Sequence, residues 1–315
     1  MFTLIKFIQG LFLRLKQNKG LWFTSLGILS ISGIFVSMYI LFSLTKDVTE
    51  EIYVSASKSY NTDMKNILNR KESDFNNILF TIKNDAVLLQ SIKENNHNQI
   101  ISRLGTYNNS YKKVKMDLTL KYFPNTLNTA IHRNSVSSSL ANQNSKFGLE
   151  IFPSGIYTVL LEPVLNDNKV IGILEIKEKI DFYKEYFTSN NKIFLIILEE
   201  RVLNKLSKEI RRNNYVEVID DLYTDMTLFN SIFYGTIREA GMDSFKEFMD
   251  NKYTLDNLFF KTYRPLSDID GNDIGFIIMG ESVEGKSFIN IVQDMTKTIT
   301  TVALGLVISI LLFMF

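Results

Sequence analysis

The spacing of apolar residues changes period along this chain, and the change divides it. From Thr45 to about Ile92 there is neither Gly nor Pro. Apolar residues recur there three or four positions apart, at Ile52, Ala56, Tyr60, Met64, Ile67, Leu68, Phe75, Leu79, Ile82, Ala86 and Leu89. That spacing predicts one amphipathic helix of about 45 residues, roughly 70 Å long. No turn signal separates it from the apolar run before it. It reads as a stalk that lies beside a domain or pairs with a partner chain.

After Tyr107 the period falls to two. Strands are predicted over 116–123, 126–131, 147–152, 155–165 and 170–177. They are broken by Pro124, a Ser/Asn-rich loop at 134–145, Pro153-Ser154-Gly155 and Asn166-Asp167-Asn168. The segment 181–187 turns away. A second unit then repeats the theme, with a strand at 192–199, a helix at 202–212 and a strand at 215–219. A mixed region, 220–252, leads to a hairpin of 254–266 and 274–281, and a last helix starts near Glu284.

The closing hairpins of the two units are written alike: "EPVLNDNKVIGILEI" at 162–176 and "RPLSDIDGNDIGFIIM" at 264–279. Each begins with a charged residue and Pro, passes an Asp/Asn-rich turn and leaves through Ile-Gly into an apolar run. Pro163 and Pro265 lack a backbone donor and suit a strand end or edge. The Asn and Asp residues tolerate tight turns. Gly172 and Gly275 let a bulky group approach the returning strand.

Both ends of the chain are apolar. The uncharged run 21–44 is about 36 Å long as a helix, enough to cross a hydrocarbon core of about 30 Å. Lys6, Arg14, Lys16 and Lys19 precede it without an acid, which puts the N-terminus in the cytoplasm. The run 298–315 is also uncharged and reads as a second, inward crossing cut off near its far end. On that reading the chain is the front part of a longer protein.

Composition narrows the function. Of 315 residues, 22% are charged and 45% apolar, room for about two domains with a buried core. The segment 46–297 carries 31 basic and 34 acidic residues, so it lacks the basic surplus of a nucleic-acid binder. There is no cysteine, and the histidines are His97 and His132 alone, too few for a His/Cys metal site. The stretch 268–273 has a calcium-loop look, but its twelfth position is Met279 rather than Glu. No nucleophile elbow or phosphate loop is written either. The chain is read as no enzyme, with no catalytic residue, metal or cofactor.

With these features in hand, the segment 45–290 resembles the double Cache sensor domains of bacterial transmembrane receptors, chemoreceptors and sensor kinases alike. The resemblance rests on the stalk, two successive PAS-like units and the paired hairpins, and is best over 118–180. It implies an α+β fold: a long N-terminal stalk helix plus two tandem PAS-like antiparallel-sheet units, flanked by two transmembrane helices. The expected division is a cytoplasmic tail at 1–20, a first transmembrane helix at 21–44 and a stalk with its connection at 45–110. A membrane-distal unit follows at 111–190, a membrane-proximal unit at 191–283, and at 284–315 the helix leading into the second span. The chain would sit in the cytoplasmic membrane with 45–297 outside, as a parallel homodimer paired along 45–92.

The resemblance also places a ligand site, between the distal sheet and the helix or loop packed over it. Candidates are His132, Arg133, Glu150, Tyr157 and Glu162. Arg133 could clamp a carboxylate in two-point fashion, and Glu162 could hold an ammonium. As plain structure, Arg133 would instead be a solvated strand-end charge with Glu162 its surface partner, and Tyr157 would be cross-strand packing. Relatives carry Arg on the strand where this chain has Val159, and Arg and His near 131–133, where the order is Ile131-His132-Arg133. The ligand therefore stays within a broad class: amino acid, organic acid or amine. Two functions remain open. One is the sensing half of a receptor, with a chemotaxis rod, a histidine kinase or a cyclic-dinucleotide enzyme as output. The other is a membrane-anchored assembly protein without output.

Overall fold

The computed structural model describes residues 19–114, 116–125, 133–190, 192–228, 230–284 and 288–314. The fold is α+β, with a long N-terminal helix and two antiparallel sheets. It divides into two compact units, one of the described residues up to Ala56 together with those from Val283, the other of Ser57–Ser282.

The first unit is helical. It holds the beginning of helix α1, Lys19–Lys83. Among the described residues one helix, from Ile31 onward in α1, is long and apolar enough to cross a membrane. The run 298–315 falls on the last helix, Phe288–Met314. Met38, Leu41 and Phe42 line a small cleft of about 60 Å³ with Ile299, Ala303 and Leu304.

In the second unit the expected unbroken helix to Ile92 is interrupted. Helix α1 stops at Lys83, and α2 (Ala86–Lys93) and α3 (His97–Lys113) follow. Asp85 is the cause. Its carboxylate caps α2 by accepting from the Leu88 N–H at 3.1 Å, and also accepts from Arg103 Nε at 2.5 Å and the Tyr107 hydroxyl at 2.9 Å. An aspartate that gains three donors as an N-cap is worth more there than inside a helix.

The first sheet has the order β1-β4-β3-β2. Its strands are β1 (Leu118–Pro124), β2 (Lys146–Phe152), β3 (Gly155–Asn166) and β4 (Lys169–Lys179). One face packs on α1–α3 through Phe75, Leu79, Ile82, Leu88 and Leu104 against Leu120, Leu160, Leu174 and Ile176. The expected strand 126–131 lies outside the described residues. The expected loop at 134–145 is instead largely a helix, α4 (Asn134–Asn142). Its serines are poor helix formers, but Val136 and Ser139 are fully buried against the sheet's second face, and Ser139 donates to the Asn144 carbonyl at 2.7 Å. Packing overrides propensity here.

The second sheet has the order β6-β7-β5-β10-β9-β8. It contains β5 (Ile193–Glu199), β6 (Tyr215–Ile219), β7 (Leu222–Asp225), β8 (Tyr253–Leu255), β9 (Phe259–Ser267) and β10 (Asp273–Ser282). Phe182–Ser189 forms α5. The helix expected at 202–212 is two pieces, α6 (Glu200–Leu203) and α7 (Lys208–Asn214). Ser207 separates them, capping α7 through the Ile210 N–H at 3.2 Å while its own N–H bonds the Pro153 carbonyl at 2.9 Å. The mixed region contains α8 (Ser231–Asn251), which packs Phe233, Ile237, Phe245 and Phe248 on the sheet. The final helix, Phe288–Met314, is α9.

Both expected hairpins are present. Asp167 and Asn168 hold positive φ of 47° and 62°, which makes the two-residue turn between β3 and β4. Between β9 and β10, the Asp268 carboxylate accepts from the N–H groups of Asp270 at 3.0 Å and Asn272 at 2.8 Å. Gly275, at φ 141°, lies so close to the Ile197 carbonyl that no Cβ could fit.

Candidate functional site

Strand geometry assembles a charged cluster on the face of the first sheet that α4 covers. Register pairs Glu150 with Tyr157, Val159 with Lys177 and Leu161 with Glu175, and Glu175 in turn with Lys121 of β1. Side chains alternate along a strand, so Glu150, Tyr157, Val159, Glu175, Lys177 and Lys121 share one face. The apolar part of that face is small: Val136, Val159, Leu161 and Ile173, with Phe123, Phe152, Tyr157 and Ile269 packed around them.

Arg133, immediately before α4, is the centre of the cluster. Its Nε and Nη2 donate to the two oxygens of Glu150 at 2.8 and 2.5 Å, the fork-on-carboxylate geometry that arginine makes best. Its Nη1 donates to Glu175 Oε2. Ser135 Oγ adds a bond to Glu150 Oε1 at 3.0 Å. The guanidinium lies 4.7 Å from the Phe152 ring centre. Lys177 Nζ lies 4.1 Å from the same ring and 4.9 Å from the Tyr157 ring. Phe152 and Tyr157 meet edge to face at 5.3 Å, and the Tyr157 hydroxyl is 3.0 Å from Ser154 Oγ.

Burial gives these charges their character. Burial by itself lowers the Arg133 pKa, but the bonds to Glu150 and the charge of Glu175 outweigh it and raise the pKa. Lys177 is shifted down, first by desolvation and despite the nearby Glu175. The Glu175 side chain is 1% exposed, and among the described residues its buried Oε1 has no hydrogen-bond partner. A polar oxygen buried in that position costs free energy until a donor meets it.

Arg133, Glu150 and Tyr157 thus come together on one face. His132 lies outside the described residues. Glu162 is elsewhere: it sits on the opposite face of β3, where it accepts from Lys83 of α1 and from Ser145. Glu162 lies five positions after Tyr157, an odd offset that puts them on opposite faces of a strand. Sequence reading missed Glu175 and Lys177. Their signal was the alternation in "ILEIKEK", which sets charged residues on a face that begins with the apolar Ile173. Val159 is fully buried beneath α4, an aliphatic contact where an arginine would bring charge.

Among the described residues no group of three or more His, Asp or Glu side chains is arranged to hold a metal. A second cavity, of about 350 Å³, lies beside the other sheet and is lined by Lys184, Thr188, Lys192, Ile193, Phe194, Leu228 and Asn230. Both lysines there are already engaged, Lys184 with the Thr227 carbonyl at 3.0 Å and Lys192 with Asp63 at 2.5 Å.

No family model matches the chain, and no curated protein sequence matches it. Solved structures do. The extracellular domain of vpHK1S-Z8, a protein named as a histidine kinase, is 10% identical with a TM-score of 0.42, covering 76% of this chain and 97% of its own. The sensor domain of the V. cholerae histidine kinase DctB is 11% identical with a TM-score of 0.36, covering 69% and 98%. The periplasmic sensory domain of the Campylobacter jejuni chemoreceptor Tlp1 is 11% identical with a TM-score of 0.34, covering 75% and 96%. These are sensor domains of the class the sequence resembles.

Proposed function

We propose that this chain is the extracytoplasmic sensing region of a bacterial transmembrane receptor, and that it binds a small molecule on the α4 face of the first sheet. One observation carries the proposal: among the described residues no donor meets Glu175 Oε1, which is buried inside a cluster that Arg133 already holds in place. A pre-ordered carboxylate oxygen that lacks a donor suits a ligand that brings one, an ammonium or amide N–H. Lys177 beside it, stacked on two rings, would meet the acidic end of an amino acid or an organic acid.

The rest of the reading follows from the chain's order. On this reading the first apolar helix crosses the membrane with its basic flank inside and the sheets outside, and α9 carries the signal back across as a second span. The output is placed as a chemotaxis rod, ahead of a histidine kinase or cyclic-dinucleotide enzyme, on the family resemblance. The receptor would act as a parallel homodimer along α1.

The test is a thermal-shift screen of the full chain in nanodiscs against amino acids, organic acids and amines. A ligand at a hundredfold excess over its dissociation constant adds about 2.7 kcal/mol of stability. The expected result is a hit whose stabilisation disappears in Glu175→Gln and falls sharply in Arg133→Gln. A folded protein with no hits, or a hit indifferent to both substitutions, overturns the proposal.

A further inference from the structure

Among the described residues β3 is the one strand that pairs with β2, which leaves the other edge of β2 open to this sheet. An unpaired strand edge is a row of unmet donors and acceptors that proteins commonly cover. Here the cover comes from 120 residues away. The turn between β9 and β10 lies along β2: Leu149 and Asp268 form a parallel bridge, and the Ile269 N–H donates to the Leu149 carbonyl at 2.7 Å. Lys146 Nζ reaches Asp270 at 2.7 Å. Between them Gly148 has no side chain, and a Cβ there would fall 2.9 Å from the Ile269 Cα. The Ile269 side chain enters the small apolar cluster of Val136, Val159, Leu161 and Ile173.

The same strand also serves the charged cluster. Glu150, which Arg133 grips with two bonds, is the next residue after Leu149. So β2 is held from two sides within three residues, by Arg133 at Glu150 and by Ile269 at Leu149 and Gly148. Strand β10, which leaves the turn, lies between β5 and β9 within the second sheet and is the last strand before α9.

We infer that Ile269 is a positioning residue of the α4-face site, contributed by the second sheet, and that the state of the Arg133–Glu150 cluster is read by the β9–β10 turn through β2. This rests on the reading of that face as a ligand site. Coupling of this kind is reciprocal: on this inference a change at the cluster shifts the turn, and a change at the turn shifts the cluster, a response that a merely structural contact would not give.

The experiment needs no ligand. Amide hydrogen exchange is followed in the full chain in nanodiscs, with Glu150→Gln as the perturbation. Exchange across 268–272 is expected to speed up roughly fivefold, since a charge-assisted bond to β2 is lost. Lys83→Ala, which breaks an ion pair on the opposite face of the same sheet, should leave 268–272 unchanged. In an Ile269→Ala background Glu150→Gln should add nothing, and Ile269→Val should restore the response. Exchange at 268–272 that stays at the wild-type rate while β2 itself speeds up overturns the inference, as does an equal response to Lys83→Ala. If Glu150→Gln does not fold, Ser135→Ala removes one donor to Glu150 and is read the same way. A ligand screen without hits would sink the sensor reading and leave this coupling intact. Unchanged exchange would sink the coupling and leave the ligand site intact.

Discussion

Gly148 lies directly beneath Ile269, with room between the two backbones for a hydrogen and nothing larger. The Gly148→Ala variant must push the β9–β10 turn off β2. The expected loss is about 1–3 kcal/mol, the usual cost of overpacking a well-filled contact. Ile269→Ala keeps the Cα and Cβ that the new methyl meets, so it does not relieve the clash; but a displaced turn has already lost the packing of Ile269, so the double variant should be less destabilised than the sum of the singles. Denaturant melts of the four proteins measure this directly.

Arg133 holds two carboxylates, one of them almost fully buried. Arg133→Gln leaves Glu175 without its hydrogen-bonded cation, with Lys177 the remaining charge nearby, and the expected loss is about 2–4 kcal/mol, below the figure for a wholly buried pair because Arg133 is partly exposed. Arg133→Gln combined with Glu175→Gln should be more stable than Arg133→Gln alone. If the double variant is instead the weaker, the cluster is not held together by charge.

Asp85 separates α1 from α2 and anchors α3. Burial opposes its ionised form, but the bonds from Arg103, the Leu88 N–H and Tyr107 outweigh that and lower its pKa below the usual 3.8. A carboxylate with a lowered folded-state pKa stabilises the protein above its unfolded value and loses that contribution as pH falls through the folded one. Asp85→Asn keeps the helix cap, so it should match wild type in how the α2 amides exchange at pH 7 yet lack part of the acid-induced loss below about pH 4. Asp85→Ala also removes the cap and should cost about 0.5–2 kcal/mol more. Melts between pH 2.5 and 7 separate the two effects.

Glu281, at the end of β10, behaves in the opposite sense. Desolvation raises its pKa above 4.5, partly offset by the bond from the Tyr60 hydroxyl at 3.1 Å and by the charge of Lys192. The folded state therefore binds a proton more readily than the unfolded one. The contribution of this group is fully present below pH 4.5 and is lost as pH rises through the raised value. Glu281→Gln should flatten that part of the stability profile. Tyr60→Phe removes a bond that favours the charged form, so it should move the window to higher pH. Denaturant titrations above pH 4.5 report both.

Much of this architecture was written locally. Period-two alternation marks β1 to β4 within a few residues of their ends, and Asn166-Asp167-Asn168 and Asp268 to Gly271 mark both hairpin turns, because turn chemistry depends on φ and on side chains two to four positions away. The apolar run that begins α1 was legible for the same reason. Parity along β3 even separates Tyr157 from Glu162, although both look equally available in the linear sequence.

Other features were not written locally. Asp85 interrupts a pattern that otherwise continues, because Arg103 and Tyr107 reach it only once α3 folds back. The Ser/Asn-rich segment 134–142 becomes a helix because Val136 and Ser139 find a sheet face to pack on, a gain that no propensity contains. Glu175 and Lys177 join Arg133 only through the register of β3 on β4 and the placement of α4. Last, the turn at Ile269 closes the edge of β2 across 120 residues. Alternation and turn residues fix what a strand is, whereas the partner of its open edge depends on which surfaces remain unburied after both sheets have formed. Local pattern marks most strands and both hairpin turns; the break at Asp85, the helix at 134–142, the charges that face one another and the contact of the second hairpin depend on surfaces that exist only after folding.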